Sequence, residues 1–199
     1  MSPIVLAMTG ASALILGERS LKLLLEKDYE VSLILSKGAY NVSLAEQQIK
    51  IPVNASNQEY FWRERLNVSS GKLICHKWDD YSANIASGSY QTKAMVIVPC
   101  SMGTIGRIAS GYSLDLVERC ADVHLKERRK LIIAPRESPF SIIHLKNMTI
   151  LAEAGVQIIP PIPAWYSNPK TLNDMIDFMV VRLFDSFIDD LAPINRWNG

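Results

Sequence analysis

Residues 94–104 read Ala94-Met95-Val96-Ile97-Val98-Pro99-Cys100-Ser101-Met102-Gly103-Thr104. An unbroken apolar run gives way to small and hydroxylated residues, and a helical pattern follows. A strand that breaks into a helix in this way makes an anion site. The free N–H groups of the first helical turn and the Ser101 and Thr104 hydroxyls can all face one phosphate. The chain opens on the same device. Pro3-Ile4-Val5-Leu6-Ala7-Met8 reads as a strand, Thr9-Gly10-Ala11-Ser12 as a turn, and Ala13 onward as a helix. Two such turns in one α/β domain predict a phosphorylated cofactor lying across the strand ends.

The alternation continues along the chain. Strands are predicted at residues 3–8, 30–35, 72–76, 94–99, 130–134 and 156–159, and helices at 12–26, 40–48, 60–65, 101–110, 114–126, 140–154 and 171–187. The near-continuous apolarity of the strands suits a parallel sheet covered on both faces. The expected fold is a three-layer, doubly wound α/β sandwich of the Rossmann or flavodoxin-like kind. Residues 1–199 are expected to form one α/β domain with a C-terminal helix and tail from about residue 171. Right-handed crossovers place the loops at 9–12, 36–37, 99–104 and 136–139 at one edge of the sheet, where they can share a cleft.

Bulk properties bound the function. At 199 residues and 48% apolar content the chain builds one full core, and a net charge of +1 gives no reason to expect nucleic-acid binding. Cys75, Cys100 and Cys120 are odd in number and widely spaced. They read as reduced thiols of a cytoplasmic protein, neither a disulfide framework nor a zinc site. The apolar N-terminus lacks the basic region of a signal peptide, since Arg19 is its first positive side chain, and no apolar run is long enough to span a membrane. The N-x-S/T sequons at Asn41, Asn54, Asn67 and Asn147 are then chance matches.

Familiar nucleotide and hydrolase motifs are missing. There is no G-x-G-x-x-G and no P-loop, and Leu14 stands where a nucleophile elbow at Ser12 needs glycine. Ser12 reads as the N-cap of the first helix, a role compatible with ligand contact. Lys126-Glu127-Arg128-Arg129-Lys130 reads as a solvated helix end complementing the dipole. Arg136-Glu137, at the functional edge, is more suggestive: arginine binds phosphate bidentately and a neighbouring glutamate can move protons. Asp79-Asp80 and Asp189-Asp190 read as structural, and His76, His124 and His144 lack ligand spacing, so no metal site is expected. Met175, Phe178 and Met179 form a core stripe. Pro160-Pro161-Ile162-Pro163-Ala164-Trp165-Tyr166 reads as a stiff extended loop. Tyr60-Phe61-Trp62 fits either an oligomer contact or burial in its own domain.

Several motifs in combination carry a resemblance. Ser101–Thr104, Ala121-Asp122-Val123, the L-K-E-R-R run at 125–129, P-R-E-S-P at 135–139, I-H-L-K-N-M at 143–148 and P-A-W-Y at 163–166 resemble the flavin prenyltransferases of the UbiX family. The resemblance covers nearly the whole chain and is densest from 94 to 182. Members of that family join a dimethylallyl group to N5 and C6 of reduced FMN and hand the prenylated FMN to a partner decarboxylase of the ubiquinone-pathway type. The resemblance implies a flavodoxin-like sandwich, a homododecamer with active sites between subunits, and dimethylallyl monophosphate as donor. By motif position it implies FMN contacts at Gly10, Ala11, Ser12, Ser36, Ser101, Met102, Gly103, Thr104, Arg119 and Arg136. It implies prenyl-phosphate contacts at Lys126, Tyr166 and Arg182. The implied catalytic groups are Ser12, Glu46, Trp78, Lys126 and Glu137, with Trp78 facing the allyl group and no metal required.

The chain departs from the family pattern in places. Ala13 replaces the last glycine of G-A-S-G. Its methyl group is tolerable if the position is helical, and weakens FMN binding if backbone must touch the flavin. Trp165 stands where phenylalanine is commoner, and 51–70 matches poorly. Two other functions share the fold: an FMN-dependent cysteine decarboxylase, and a non-catalytic flavin-binding subunit. The first normally carries a histidine in an early helix and a P-A-S-A-N-T segment. Residues 40–48 contain no histidine, and Ile85-Ala86-Ser87-Gly88-Ser89 replaces that segment. The second has no need for Lys126, Glu137, Tyr166 and Arg182.

Overall fold

A computed structural model of the protein describes residues 2–189 and 191. Six parallel strands, β1 (Ile4–Met8), β2 (Glu30–Leu35), β3 (Lys72–His76), β4 (Ala94–Cys100), β5 (Leu131–Pro135) and β6 (Gln157–Ile158), form one sheet in the order β3-β2-β1-β4-β5-β6. Seven α-helices connect and flank them: α1 (Leu14–Glu26), α2 (Lys37–Gln47), α3 (Ala55–Leu66), α4 (Met102–Ala109), α5 (Leu116–Lys126), α6 (Ile142–Glu153) and α7 (Leu172–Phe184). The predicted doubly wound sandwich is the observed one.

The strands explain the layering. Every residue of β1 and β4 is buried. In β1 the pleat sends Ile4, Leu6 and Met8 into one apolar cluster and Val5 and Ala7 into the other. A strand apolar on both faces needs a cover on both. On the first face α1, α3 and α7 supply Leu21, Leu24, Trp62 and Phe184. On the second, α4, α5 and α6 supply Ile105, Val117 and Leu151.

Local chemistry shifts several boundaries. Helix α2 begins at Lys37, three residues before the predicted start, because Gly38 masks its first turn. Helix α3 begins at Ala55 rather than 60, since the Asn54 side chain accepts a hydrogen bond from the Ser56 N–H. Within it the aromatic cluster divides: Trp62 is buried in the core while Tyr60 is exposed. Arg129 is not the solvated helix-end charge predicted. Its guanidinium donates to the carbonyls of Tyr90 and Gly88 and fastens that loop under α5. The proline-rich loop ends in a 3₁₀ turn at Trp165–Ser167, with Trp165 exposed and the Tyr166 ring edge-on to Phe178 of α7. Asp80 accepts from the Ser82 N–H in its own turn, and Asp190 lies outside the described residues.

Ser12 is not the N-cap of α1. That position belongs to Ala13, at φ 74° and ψ 42°, with no side-chain cap bond. The helical alternative for the missing glycine is thereby overturned: the position is left-handed, and glycine suits it by conformation. An L-residue there costs about 1–2 kcal/mol, against roughly 0.5–1 kcal/mol for the extra entropy glycine loses on folding. Ala13→Gly should therefore raise the unfolding free energy by about 0.5–1 kcal/mol in urea denaturation. An unchanged or lowered midpoint would show that the methyl group is compensated.

Candidate active site

The strand order reverses between β1 and β4: from β1 the chain moves to β2 and β3, then crosses back to β4. Crevices at such reversals, outside the carboxyl ends of the strands, are where open α/β sheets bind ligands. Here the two anion turns meet. Thr9 is fully buried between them. Its hydroxyl donates to the Pro99 carbonyl at 2.9 Å and accepts from the Ser101 N–H at 2.8 Å, so one side chain clasps the turn after β1 to the turn after β4.

The turn after β2 closes from the other side. A Cβ on Gly10 would lie 3.0 Å from the Gly38 Cα, so the first turn and the start of α2 touch backbone to backbone. Ser36, at the N-cap of α2, makes no side-chain cap bond. Ala13 donates its N–H to the Glu46 carboxylate at 3.1 Å, bringing the far end of α2 to the same place. Gly38 escaped the sequence reading, since no motif marks a contact between residues so far apart in sequence.

The turn after β4 is built more tightly than predicted. The Ser101 hydroxyl accepts from the Thr104 N–H at 3.3 Å and lies 3.0 Å from the Thr104 hydroxyl. The two hydroxyls pair with each other, and both N-terminal turns remain pointed at the crevice. Arg136, after β5, donates its N–H to the Cys100 carbonyl. Its side-chain Nε is buried with no partner among the described residues. An orphaned guanidinium N–H beside two helix N-termini suits an anionic or carbonyl-bearing ligand such as FMN. Glu137 follows it, exposed, and Trp78 is half-buried after β3, its carbonyl accepting from Leu116 N–H at the start of α5.

The remaining predicted residues stand apart. Arg119, on α5, donates to the Ala86 carbonyl and pairs with Asp122 at 2.9 Å. Lys126 is the last residue of α5, at the opposite edge of the sheet, where it pairs with Glu127 at 2.6 Å and holds that carboxyl below the usual range. Arg182 pairs with Asp185 at 2.7 Å, one turn before Ser186, whose carbonyl accepts from Lys130 at the foot of β5. Tyr166 packs near it against Phe178. The chain alone thus gathers the predicted flavin contacts other than Arg119 and leaves the prenyl-phosphate residues elsewhere. A cavity of about 570 Å³ does lie between α1 and α7, but no residue predicted to touch flavin lines it.

Known proteins resemble this chain over nearly its whole length. A family model described as Flavoprotein matches residues 1–184. The flavin prenyltransferase UbiX of Synechocystis sp. is 50% identical over 198 residues, covering 99% of this chain and 96% of that protein. The chain belongs to the flavin prenyltransferase family. Two solved structures share its fold. The crystal structure of AnUbiX in complex with FMN and dimethylallyl pyrophosphate is 39% identical, with a TM-score of 0.86 covering 100% of this chain and 98% of that one. A dodecameric FMN-dependent UbiX-like decarboxylase from Escherichia coli O157:H7 is 37% identical, with a TM-score of 0.84 and 99% of both chains covered.

Two buried groups of this family member titrate in opposite senses. Burial holds His124 down at about 4, while it bonds the Cys120 carbonyl and the Thr92 hydroxyl. Burial and the neighbouring Glu118 push Asp115 up to about 7. Between about pH 4 and 6.5 the unfolded chain protonates His124 in excess, so its contribution to stability is lost as pH falls. Asp115 is protonated in excess in the folded chain, so its contribution is lost as pH rises. The two slopes oppose one another, each at most about 1.4 kcal/mol per pH unit. Asp115→Asn should steepen the rise of unfolding free energy across this window by up to about 1.4 kcal/mol per pH unit relative to the parent. Urea denaturation at several pH values measures it, and parallel curves would refute the opposition.

Proposed function

We propose that this chain is a metal-independent flavin prenyltransferase. It joins the dimethylallyl group of dimethylallyl monophosphate to N5 and C6 of reduced FMN, and the prenylated FMN serves a partner decarboxylase. The observation that carries this reading is the convergence of Gly10, Ser12, Ser36, Ser101–Thr104 and Arg136 at the strand-order reversal, with the Arg136 Nε left unpaired. A solved relative at 39% identity holds FMN together with a dimethylallyl phosphate ester. The described part of the chain acts as one flavin-binding domain, with α7 as its C-terminal helix.

Reduced FMN supplies the nucleophilic nitrogen and carbon. The protein's task is to part the allylic C–O bond. Negative charge grows on the departing phosphate, and the Lys126 ammonium, the Arg182 guanidinium and the Tyr166 hydroxyl donate to it. Each charge-assisted hydrogen bond contributes about 1.5–3 kcal/mol. Positive charge grows on the allyl carbon, and the face of Trp78 stabilises it. Glu46 supports phosphate departure from beside the first turn. Closing the second bond adds a proton to the prenyl double bond and removes one from flavin C6, and Glu137, adjacent to Arg136, handles this proton traffic. Ser12 and Arg119 complete the flavin contacts.

Lys126 and Arg182 serve this reaction from neighbouring copies of the chain, because in their own chain both lie toward the opposite sheet edge from the crevice. A homo-oligomer, a dodecamer like the E. coli relative, therefore forms the complete site. The exposed apolar face of α6 suits such contacts: Ile142 and Ile143 are each 66% exposed, and Leu151 is the buried residue of that helix. No helix among the described residues is long and apolar enough to cross a membrane, and we place the enzyme in the cytoplasm. Helix α2 holds no histidine, which speaks against a cysteine decarboxylase.

Anaerobic incubation with reduced FMN and either dimethylallyl monophosphate or diphosphate, followed by mass spectrometry of the released flavin, tests the reading. A gain of one five-carbon unit with the monophosphate is expected, and unmodified FMN with both donors would refute the prenyltransferase. Tyr166→Phe and Arg182→Ala should each lower turnover by about tenfold or more while FMN binding persists. Unchanged turnover in both would remove them from the phosphate site.

A further inference from the structure

We infer that Arg107 is a positioning residue for the flavin, acting through Thr104 to fix the direction in which the Ser101 hydroxyl donates. This rests on the reading that FMN occupies the crevice at the N-terminus of α4.

Arg107 lies on α4 one turn after Thr104. Its guanidinium donates to Glu118 on α5, with contacts of 2.8 Å from Nε and 2.7 Å from a terminal nitrogen. Its NH2 group also reaches the Thr104 hydroxyl oxygen at 3.4 Å. The carboxylate cannot follow a displaced arginine. Glu118 is buried, and its second oxygen accepts the Asp115 N–H at 2.9 Å, while Asp115 caps the same helix through the N–H groups of Val117 and Glu118. The guanidinium is thus anchored by a fixed partner. Gly103 leaves it room: a Cβ there would lie 3.4 Å from Arg107 NH1.

The direction of the chain follows from donor inventory. A guanidinium only donates. The Thr104 oxygen accepts from it with one of its two lone pairs, and the nearby positive charge favours the arrangement in which the Thr104 proton points away from the guanidinium, along the 3.0 Å contact to Ser101. The Ser101 oxygen already accepts the Thr104 backbone N–H. With both lone pairs engaged, the Ser101 proton has one useful direction, outward into the crevice. Without Arg107 that bias is lost, and the reversed arrangement, in which Ser101 presents a lone pair to the ligand instead of a proton, becomes as accessible. For an anionic or carbonyl acceptor that exchange turns attraction into repulsion. The sequence offers no sign of this relay, because Arg107 and Glu118 belong to no shared motif.

A double-mutant cycle separates this from a structural role. FMN dissociation constants are measured by flavin fluorescence for the parent, Arg107→Met, Ser101→Ala and the double variant, with thermal midpoints alongside. In the Ser101 background, Arg107→Met should weaken FMN by about tenfold, and in the Ser101→Ala background by less than about twofold. The change in thermal midpoint should be the same in both. Thr104→Val breaks the relay at its middle and should reproduce the pattern, which keeps the test open if Arg107→Met does not fold. Equal losses of affinity in both backgrounds, or none in either, would overturn the relay alone. Failure of the parent chain to bind FMN would overturn the flavin reading and the relay with it.

Discussion

The buried hydroxyl of Thr9 is the contact on which the crevice depends. Strands β1 and β4 lie side by side, but their chains leave the sheet on opposite faces, toward α1 and toward α4. Nothing in strand pairing alone obliges the two departing turns to stay together. Thr9 does so by accepting from one turn and donating to the end of the strand that leads into it. A valine at this position would fill similar volume and provide neither bond. The Gly10–Gly38 approach and the Arg136 N–H bond to Cys100 then add the turns after β2 and β5 to a junction that Thr9 has already closed.

Most of the fold was legible because both faces of the sheet are covered. Strands buried on two sides must be apolar throughout, and such runs are hard to mistake for anything else in an alternating α/β pattern. What escaped was local in a different sense. The starts of α2 and α3 are set by a glycine tolerated in a first turn and by an asparagine cap, neither of which belongs to the apolar period. The capping box at Asp115 and Glu118 went unread in the sequence, and its partnership with Arg107 could not have been read there, since pairing across helices has no sequence signature. Ala13 shows a third kind of difficulty: its φ is imposed by the geometry of the turn and by the Glu46 contact, not by its own preference.

The candidate site divides in the same way. The residues expected to contact flavin by resemblance, Arg119 on α5 apart, sit at or just after the ends of adjacent strands, so topology gathers them. Residues assigned to the prenyl phosphate sit on α5, α7 and the 3₁₀ turn, where topology disperses them. Each already has neighbours in its own chain: Lys126 has Glu127, Arg182 has Asp185, and Tyr166 has Phe178. These are exposed, salt-screened or edge contacts of modest strength, weak enough to be exchanged for a phosphate.

The placement of Lys126 at the far end of α5 has a genetic corollary. In the proposed assembly, a chain that offered its crevice to one neighbour and its lysine to another would contribute two separable halves. Two alleles, one damaged at Glu137 and one at Lys126, would each be inactive alone, yet mixed in one assembly they would rebuild some intact sites from undamaged halves. A heterozygote of the two would be partly functional.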